Sequence, residues 1–303
     1  MNIIRTKSLY QQACRNSSDL HVMTNDERKQ LQAHLLYMYK EIEAVCKKYN
    51  LSMMLAYGSV LGAVRHGGFI PWDDDIDLFM PRKDYELFIT KYASQLPRHM
   101  KVYAPNSINK PITRFAKVVD TRTKFIEANS DDNDDPAQGI FVDIFPLDSI
   151  KQAPIRNRLS RYLCMALMYI GASVGIYEDH CVAYRRLMAY TLFTKANYWL
   201  RQCIGFLFSY VSHQRWMNII DNFCRNDKRT GFVDELVGVY KWKPVSDDVF
   251  FPPQRGLFEG REVFLPHDAV SHLEQAYHDW KRIPPENERV QHFVRLIKFV
   301  NDK

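Results

Sequence analysis

The sequence has no Cys-x-x-Cys pair. Its six cysteines (Cys14, Cys46, Cys164, Cys181, Cys203 and Cys224) are scattered along 303 residues. Zinc-ribbon spacing is therefore absent, and free thiols in a reducing cytoplasm are the simplest expectation. No Walker motif and no G-x-G-x-x-G occurs, so a P-loop or dinucleotide-binding fold lacks support. Residues 1–20 hold no continuous apolar run, and a secretory signal is not expected. The two long apolar patches, 163–177 and 198–211, fall short of the roughly 18 uninterrupted apolar residues of a membrane span; Arg201 and Gln202 break the second. Glycine (12) and proline (14) are too scarce for a disordered or repetitive chain.

What is present is ordinary globular material, 46% hydrophobic and 25% charged, with enough Phe and Tyr for a sizeable core. The net charge of +6 is unevenly spread. Residues 151–229 carry twelve Lys or Arg against four Asp or Glu, a surplus of eight, so the remainder is slightly acidic. A basic middle segment suits an anionic partner (a phosphorylated substrate, a membrane surface or nucleic acid) or is a solvated helical face.

Periodicity divides the chain into a mixed α/β core over 1–150, a basic, aromatic helical insertion over 151–229, and a C-terminal segment over 230–303 that packs on the core. Thr24 with Glu27 forms a capping-box pattern, and Leu31, Leu35, Met38, Ile42 and Val45 recur at helical spacing, predicting a helix over 24–49. The apolar run 51–57 predicts a buried strand. Gly58-Ser59 interrupts it before a helix over 60–65, and Gly67-Gly68 and Pro71 force a loop. Residues 76–80 read as a strand and 83–96 as an amphipathic helix. Further strands are expected at 101–103, 115–119, 124–128 and 139–145, and a helix from about Glu286. In the insertion, buried core helices are the default and a membrane-surface helix the sharper alternative. The acidic loop 130–136 loosely resembles a calcium loop, but Pro136 replaces the turn glycine and Val142 the closing Glu, so a solvated loop is expected.

Chemistry concentrates between Tyr57 and Leu78. Side chains two apart on a strand share a face, so Asp75 and Asp77 point one way while Ile76 and Leu78 face the core. Carboxylates held together repel unless a cation lies between them, and hard oxygen ligands favour Mg²⁺ or Mn²⁺. A glycine between strand and helix lets backbone approach a ligand, and the helix N-terminus that follows offers N–H groups to a phosphate. Each signal alone is common, but their order along the chain is specific for phosphoryl or nucleotidyl transfer. Asp143 is a lone acid within an apolar strand, where it needs a metal or a cationic partner. Asp148, after Pro146, reads as a turn cap. Arg65, His66 and Lys117 are candidates to neutralise phosphate charge, and Trp72 reads as a packing residue.

The stretch Gly58-Ser59, Leu61-Gly62-Ala63, Arg65-His66, Gly68 and Ile70-Pro71-Trp72-Asp73-Asp74-Asp75-Ile76-Asp77 resembles the LicD family, relatives of the fukutin-related proteins. The likeness continues at Phe115, Lys117 and Asp120, at Asp143-Ile144-Phe145-Pro146-Leu147-Asp148, and at Phe258-Glu259-Gly260, Pro284-Pro285-Glu286 and His292. It implies a nucleotidyltransferase-like fold and transfer of a phospho-substituent from a nucleotide-activated donor to a glycan hydroxyl. Phosphocholine from CDP-choline is the best-known such reaction, in cell-surface polysaccharide synthesis. Asp75 and Asp77 match the family's metal-binding pair and Asp143 its third carboxylate, giving these three as catalytic and metal-binding. Gly58, Ser59, Arg65, His66 and Lys117 are expected to bind substrate. The acceptor is expected to be a glycan, lipid-linked in some relatives, with peripheral membrane contact at the inner face of a cytoplasmic membrane and no nucleic acid. Two departures stand out: Tyr277-His278-Asp279-Trp280-Lys281 lacks the family's glycine, and the middle segment matches no part of it. The alternatives are another nucleotide-activated phospho-group, polyol-phosphate or nucleotidyl, or a non-catalytic protein that binds membrane or nucleic acid through its basic middle.

Overall fold

A computed structural model describes residues 3–110, 113–150, 154–228, 230–234, 244–277, 279–286, 289 and 293–300. In chain order come α1 (Ile3–Arg15), α2 (Asn25–Tyr49), β1 (Met54–Leu55), α3 (Tyr57–His66), β2 (Asp77–Pro81), α4 (Arg82–Leu87), β3 (Met100–Tyr103), β4 (Ala116–Asp120), β5 (Lys124–Glu127) and β6 (Ile140–Ser149). The helices α5 (Pro154–Asp179), α6 (Val182–Met188), α7 (Leu192–Phe208) and α8 (His213–Cys224) follow. The chain continues through β7 (Phe232–Asp234), β8 (Val245–Ser246), β9 (Gln254–Phe258), β10 (Arg261–Leu265), α9 (Ala269–Ala276) and β11 (Val294–Lys298). This is the mixed α/β class expected from the sequence.

The main sheet runs β1-β2-β6-β4-β3, with β7 and β8 continuing from the end of β6. Only β2 and β6 pair in parallel; the other pairs are antiparallel. Residues opposite one another in a sheet share a face, and the two faces diverge sharply. Leu78, Met80, Ile144 and Ala116 belong to the largest buried cluster, together with Leu31, Leu35, Met38 and Ile42 of α2. Phe79, Phe145 and Leu147, on the alternate positions, form a second cluster with Met54, Val233 and Phe250. Helix α2 begins where its capping box predicts: Glu27 N–H donates to Thr24 Oγ1 at 3.2 Å, and Thr24 N–H to Glu27 Oε2 at 2.8 Å. The insertion has its own core, in which Cys164, Met168 and Val174 of α5 pack on Trp216, Met217, Ile220 and Cys224 of α8.

Several elements differ from expectation. The run 51–57 is mostly buried, but only Met54 and Leu55 pair as strand, because a short apolar run reports burial rather than pairing. Helix 83–96 widens into a π turn over Phe88–Tyr92 and a 3₁₀ turn over Ala93–Gln95. Strand β6 passes through Pro146 to Ser149: pairing with β4 ends at Ile144 and pairing with β7 starts at Asp148, so the missing proline N–H falls in the gap between them. Asp148 is thus no turn cap but a fully buried strand residue. Of the terminal helix expected from about Glu286, residues 287, 288, 290–292 and 301–303 lie outside the described residues, while Val294–Lys298 form β11, which covers the edge of β5, and Val294 bridges His21. The acidic loop is consumed by local bonds. Asp131 accepts from the N–H groups of Val182 and Ala183 at the start of α6, and Lys124 reaches Asp132 and Asp134.

Candidate active site

Parallel pairing sets Asp77 of β2 opposite Asp143 of β6, and antiparallel pairing sets Asp143 opposite Lys117 of β4. Three candidate site side chains therefore form one rung across neighbouring strands, on the face away from α2, with backbones about 4.8 Å apart. Lys117 is buried; its Nζ lies 3.7 Å from Asp143 Oδ1, 4.0 Å from Glu127 Oε2 and 3.2 Å from the centre of the Phe141 ring. Asp143 thus has a cation beside it and another carboxylate, Asp77, on the adjoining strand.

Asp75 lies in the extended segment that enters β2, with Ile76 and Leu78 buried as alternation requires. Carboxylate oxygens of Asp73, Asp74 and Asp75 all lie within 4.8 Å of one another. Helix α2 holds this loop: Arg28 Nη1 donates to the Trp72 carbonyl at 2.9 Å and Gln32 Nε2 to the Asp73 carbonyl at 2.9 Å. Trp72 packs on the core beneath the Arg289 guanidinium, which lies 4.4 Å from its ring centre. This convergent set of hard oxygen donors fits a divalent cation such as Mg²⁺ or Mn²⁺.

Gly58 and Ser59 occupy the first turn of α3 rather than a break before it. The N-cap Ala56 has no side chain to cap that turn, and Tyr57 enters it at φ 41°, a left-handed conformation uncommon for a bulky residue. The Asp77 N–H donates to Ser59 Oγ at 3.0 Å, tying the turn to the strand that bears the acid. A Cβ on Gly58 would stand 3.3 Å from Asp73 Oδ2, so the helix N-terminus and the acidic loop are in contact.

Arg65 and His66 lie at the other end of α3, about 10 Å along the axis from Gly58. Arg65 Nη1 donates to the carbonyls of Trp280 (2.6 Å) and Arg282 (3.1 Å), and its Nε to His66 Nε2 (2.9 Å). Burial, then the neighbouring Arg65 charge, lowers the His66 pKa. These two residues clasp the C-terminal segment. The structure does not bring them to Gly58 and Ser59.

That clasp explains a residue to which the sequence reading gave no role. The half-buried Tyr277 phenol has its pKa raised, first by burial and then by the charges of Asp77, Asp73 and Asp75, with Arg65 opposing. Those three acids lie 200 to 204 residues earlier in the chain, so their influence on Tyr277 has no local signal. Asp73 was legible as part of the acidic run but not as part of the cluster. The Gly67-Gly68 turn docks the β9–β10 hairpin: Glu259 N–H donates to the Gly67 carbonyl at 3.0 Å, and Glu259 Oε1 accepts from Phe69 N–H at 2.9 Å. A Cβ on Gly68 would come within 2.0 Å of that carboxylate. Asp120 faces the opposite side of the sheet, where His34 and Arg122 hold it. His278 and His292 lie outside the described residues.

Residues 50–160 match the family model described as LicD/FKTN/FKRP, nucleotidyltransferase domain. The chain is 26% identical over 253 residues to the lipopolysaccharide cholinephosphotransferase LicD of Haemophilus influenzae, covering 83% of this chain and 90% of that protein. It is 29% identical over 143 residues to mannosyltransferase regulator 4 of Saccharomyces cerevisiae, covering 46% of this chain but 12% of that protein. The matched region takes in the α3 turn, the acidic loop and the whole Asp77–Asp143–Lys117 rung, so the similarity to the LicD/FKTN/FKRP nucleotidyltransferase domain covers the candidate site.

Proposed function

We propose that this protein is a metal-dependent phosphotransferase of nucleotidyltransferase-like fold that moves phosphocholine from CDP-choline to a glycan hydroxyl in lipopolysaccharide modification. The observation that carries the reading is the rung: Asp77 and Asp143 stand in register beside Lys117, next to the Asp73–Asp75 loop and the uncapped start of α3. The similarity over most of both chains to a lipopolysaccharide cholinephosphotransferase supports the transferred group and the acceptor.

In this reading Asp75 and Asp77, with Asp143, hold one or two Mg²⁺ or Mn²⁺ ions, and Asp73 adds a further oxygen. Such ions supply charge stabilisation to the donor diphosphate. The first turn of α3 faces the phosphates with the positive end of its dipole, and Gly58 leaves room for their approach. Lys117 offsets negative charge at the rung. The acceptor hydroxyl attacks the phosphorus of the phosphocholine group. A phosphorus–oxygen bond to the sugar forms, the bond to the cytidine phosphate breaks, and CMP leaves. Asp143 takes the hydroxyl proton. Arg65 positions the segment that bears Tyr277.

The test is CMP release from CDP-choline with a lipopolysaccharide acceptor lacking phosphocholine, with product mass as a second readout. Wild type should transfer only with Mg²⁺ or Mn²⁺. Asp77→Asn should keep the fold and lose at least 100-fold, on the order of the effect of removing an electrostatic group from a transition state. Wild-type turnover in Asp77→Asn at matched Mg²⁺ would reject the assignment.

A further inference from the structure

Helix α7 inverts the usual amphipathic arrangement. Its inward side is formed by Thr194, Asn197, Tyr198 and Gly205. Polar contacts line that side: Tyr169 OH of α5 donates to Asn197 Oδ1 at 3.5 Å, and Gln202 Nε2 donates to the Tyr198 hydroxyl at 2.9 Å and the Ile176 carbonyl at 3.3 Å. The outward side carries Leu192 (87% exposed), Trp199, Leu200, Phe206 and Leu207, and Tyr210 (77% exposed) follows in the turn after the helix. Leu192, Trp199 and Phe206 are spaced seven apart, as are Leu200 and Leu207, which makes a single stripe along the helix. A helix on a water-facing surface keeps its apolar stripe inward; here the stripe faces out. Of the aromatic residues that a packed helical core would have claimed, Tyr198 is buried while Trp199, Phe206 and Tyr210 are exposed. Its packing partner α5 is likewise apolar beyond what the core uses. The stretch Leu159–Asp179 is long and apolar enough to cross a membrane, and 28% of its apolar window is buried.

The sequence through α6, α7 and the start of α8 carries charge of one sign. From Cys181 to Ile220 the sequence contains no Asp or Glu, while Arg185, Arg186, Lys195, Arg201 and Arg215 fall within the same forty residues. Lys195 lies within the exposed stripe itself. Leucine and aromatic side chains with cations and no carboxylate suit the interface of an anionic bilayer, where acyl chains take the apolar groups and lipid phosphates the basic ones. A second copy of this chain offers the same stripe no acid, so like charges would meet.

We propose that the outward face of α7 seats the protein on an anionic lipid surface, with its aromatic and leucine side chains at the headgroup–acyl boundary and Lys195 reaching back to lipid phosphate. The proposal rests on α7 and its surroundings and stands whichever group the active site transfers.

Vesicle flotation tests it. The protein is mixed with phosphatidylglycerol–phosphatidylcholine vesicles or with phosphatidylcholine alone, at low and high salt, and Trp199 emission is read in parallel as the difference between wild type and Trp199→Phe, since four other tryptophans also emit. Wild type should float with the anionic vesicles at low salt, be released as salt rises, and float poorly on the neutral ones. Trp199 emission should shift to the blue on binding. The triple variant Trp199→Gln, Phe206→Gln, Leu207→Gln should remain behind with an unchanged circular dichroism spectrum, because all three side chains are exposed. Lys195→Gln, a milder change, should weaken binding roughly fivefold. Absence of wild-type flotation on anionic vesicles at low salt would overturn the proposal, as would equal flotation of the triple variant. A lipid-free dimer that the triple substitution dissolves would assign the face to a second copy instead.

Discussion

Replacing Arg82 with Met should unfold this protein more easily than any surface change, and the structure gives the magnitude. Arg82 follows β2 directly. Its Nε and Nη2 donate to Asp148 Oδ1 and Oδ2, and its Nη1 to Asp221 Oδ1, all at 2.7 Å. The three side chains are 1%, 0% and 3% exposed. Burial opposes the guanidinium charge, but the two carboxylates outweigh it and hold the Arg82 pKa above its usual value. Asp148 also accepts from Asn226 N–H, and Asp221 from Asn106 Nδ2. Those neutral donors would remain in Arg82→Met, yet two carboxylates would lose their shared cation. Stranding a buried charge costs about 3–5 kcal/mol, against a total stability of roughly 5–15 kcal/mol for a typical domain. Urea denaturation at pH 7.5 should therefore show a much lower midpoint at an unchanged slope. The loss should shrink at pH 5. Stranded acids have folded pKa values above the unfolded value of about 3.9, so the unfolded state binds fewer protons and the variant's stability falls as pH rises from there. Adding Asp148→Leu and Asp221→Leu should recover most of the loss, since apolar packing replaces a buried ion network well. A loss under about 1 kcal/mol, or one independent of pH, would refute the reasoning. Asp148 lies on β6 and Asp221 on α8, so the network also fastens the insertion to the two strands that bear Asp77 and Asp143.

Two further substitutions test buried titratable groups. The His272 ring is packed among Tyr57, Phe79 and Phe250, its Nε2 lacks a hydrogen-bond partner, and burial pushes its pKa down to about 4. The unfolded state binds more protons between about pH 4 and 6.5, so wild-type stability should fall by about 3 kcal/mol as pH drops through that window. His272→Phe should remove that slope in parallel melts, and an unchanged slope would exclude a neutral buried His272. Burial acts against the Asp120 carboxylate, but hydrogen bonds from His34 and Arg122 prevail and hold its pKa below the usual range. The stability it contributes is present above about pH 4 and lost as pH falls further. Asp120→Asn should therefore lose about 1.5–3 kcal/mol at pH 7 and roughly 1 kcal/mol less at pH 3; equal losses at both would show that the carboxylate charge is not what stabilises this point.

The sequence by itself determined what is local. The Thr24–Glu27 capping box and the apolar period after it fixed α2, because a helix start is decided within four residues. The order Gly58-Ser59, loop, Asp75-Ile76-Asp77 placed the acids beside a helix N-terminus, because strand alternation decides facing without a partner. The lone acid Asp143 signalled a need for charge, and the tertiary structure set Lys117 and Asp77 beside it. Only strand pairing could do that, since register joins residues whose separation along the chain carries no periodic signal. The same limit hid Asp148, whose partner Arg82 lies 66 residues earlier, and the segment from Trp280 to Arg282, whose carbonyls Arg65 clasps from more than 200 residues away. In α7 the sequence supplied an apolar stripe and the cations near it. Which face that stripe would take was settled by α5, whose Ser173 carbonyl admits only a glycine at position 205 and so turns the polar side of α7 inward.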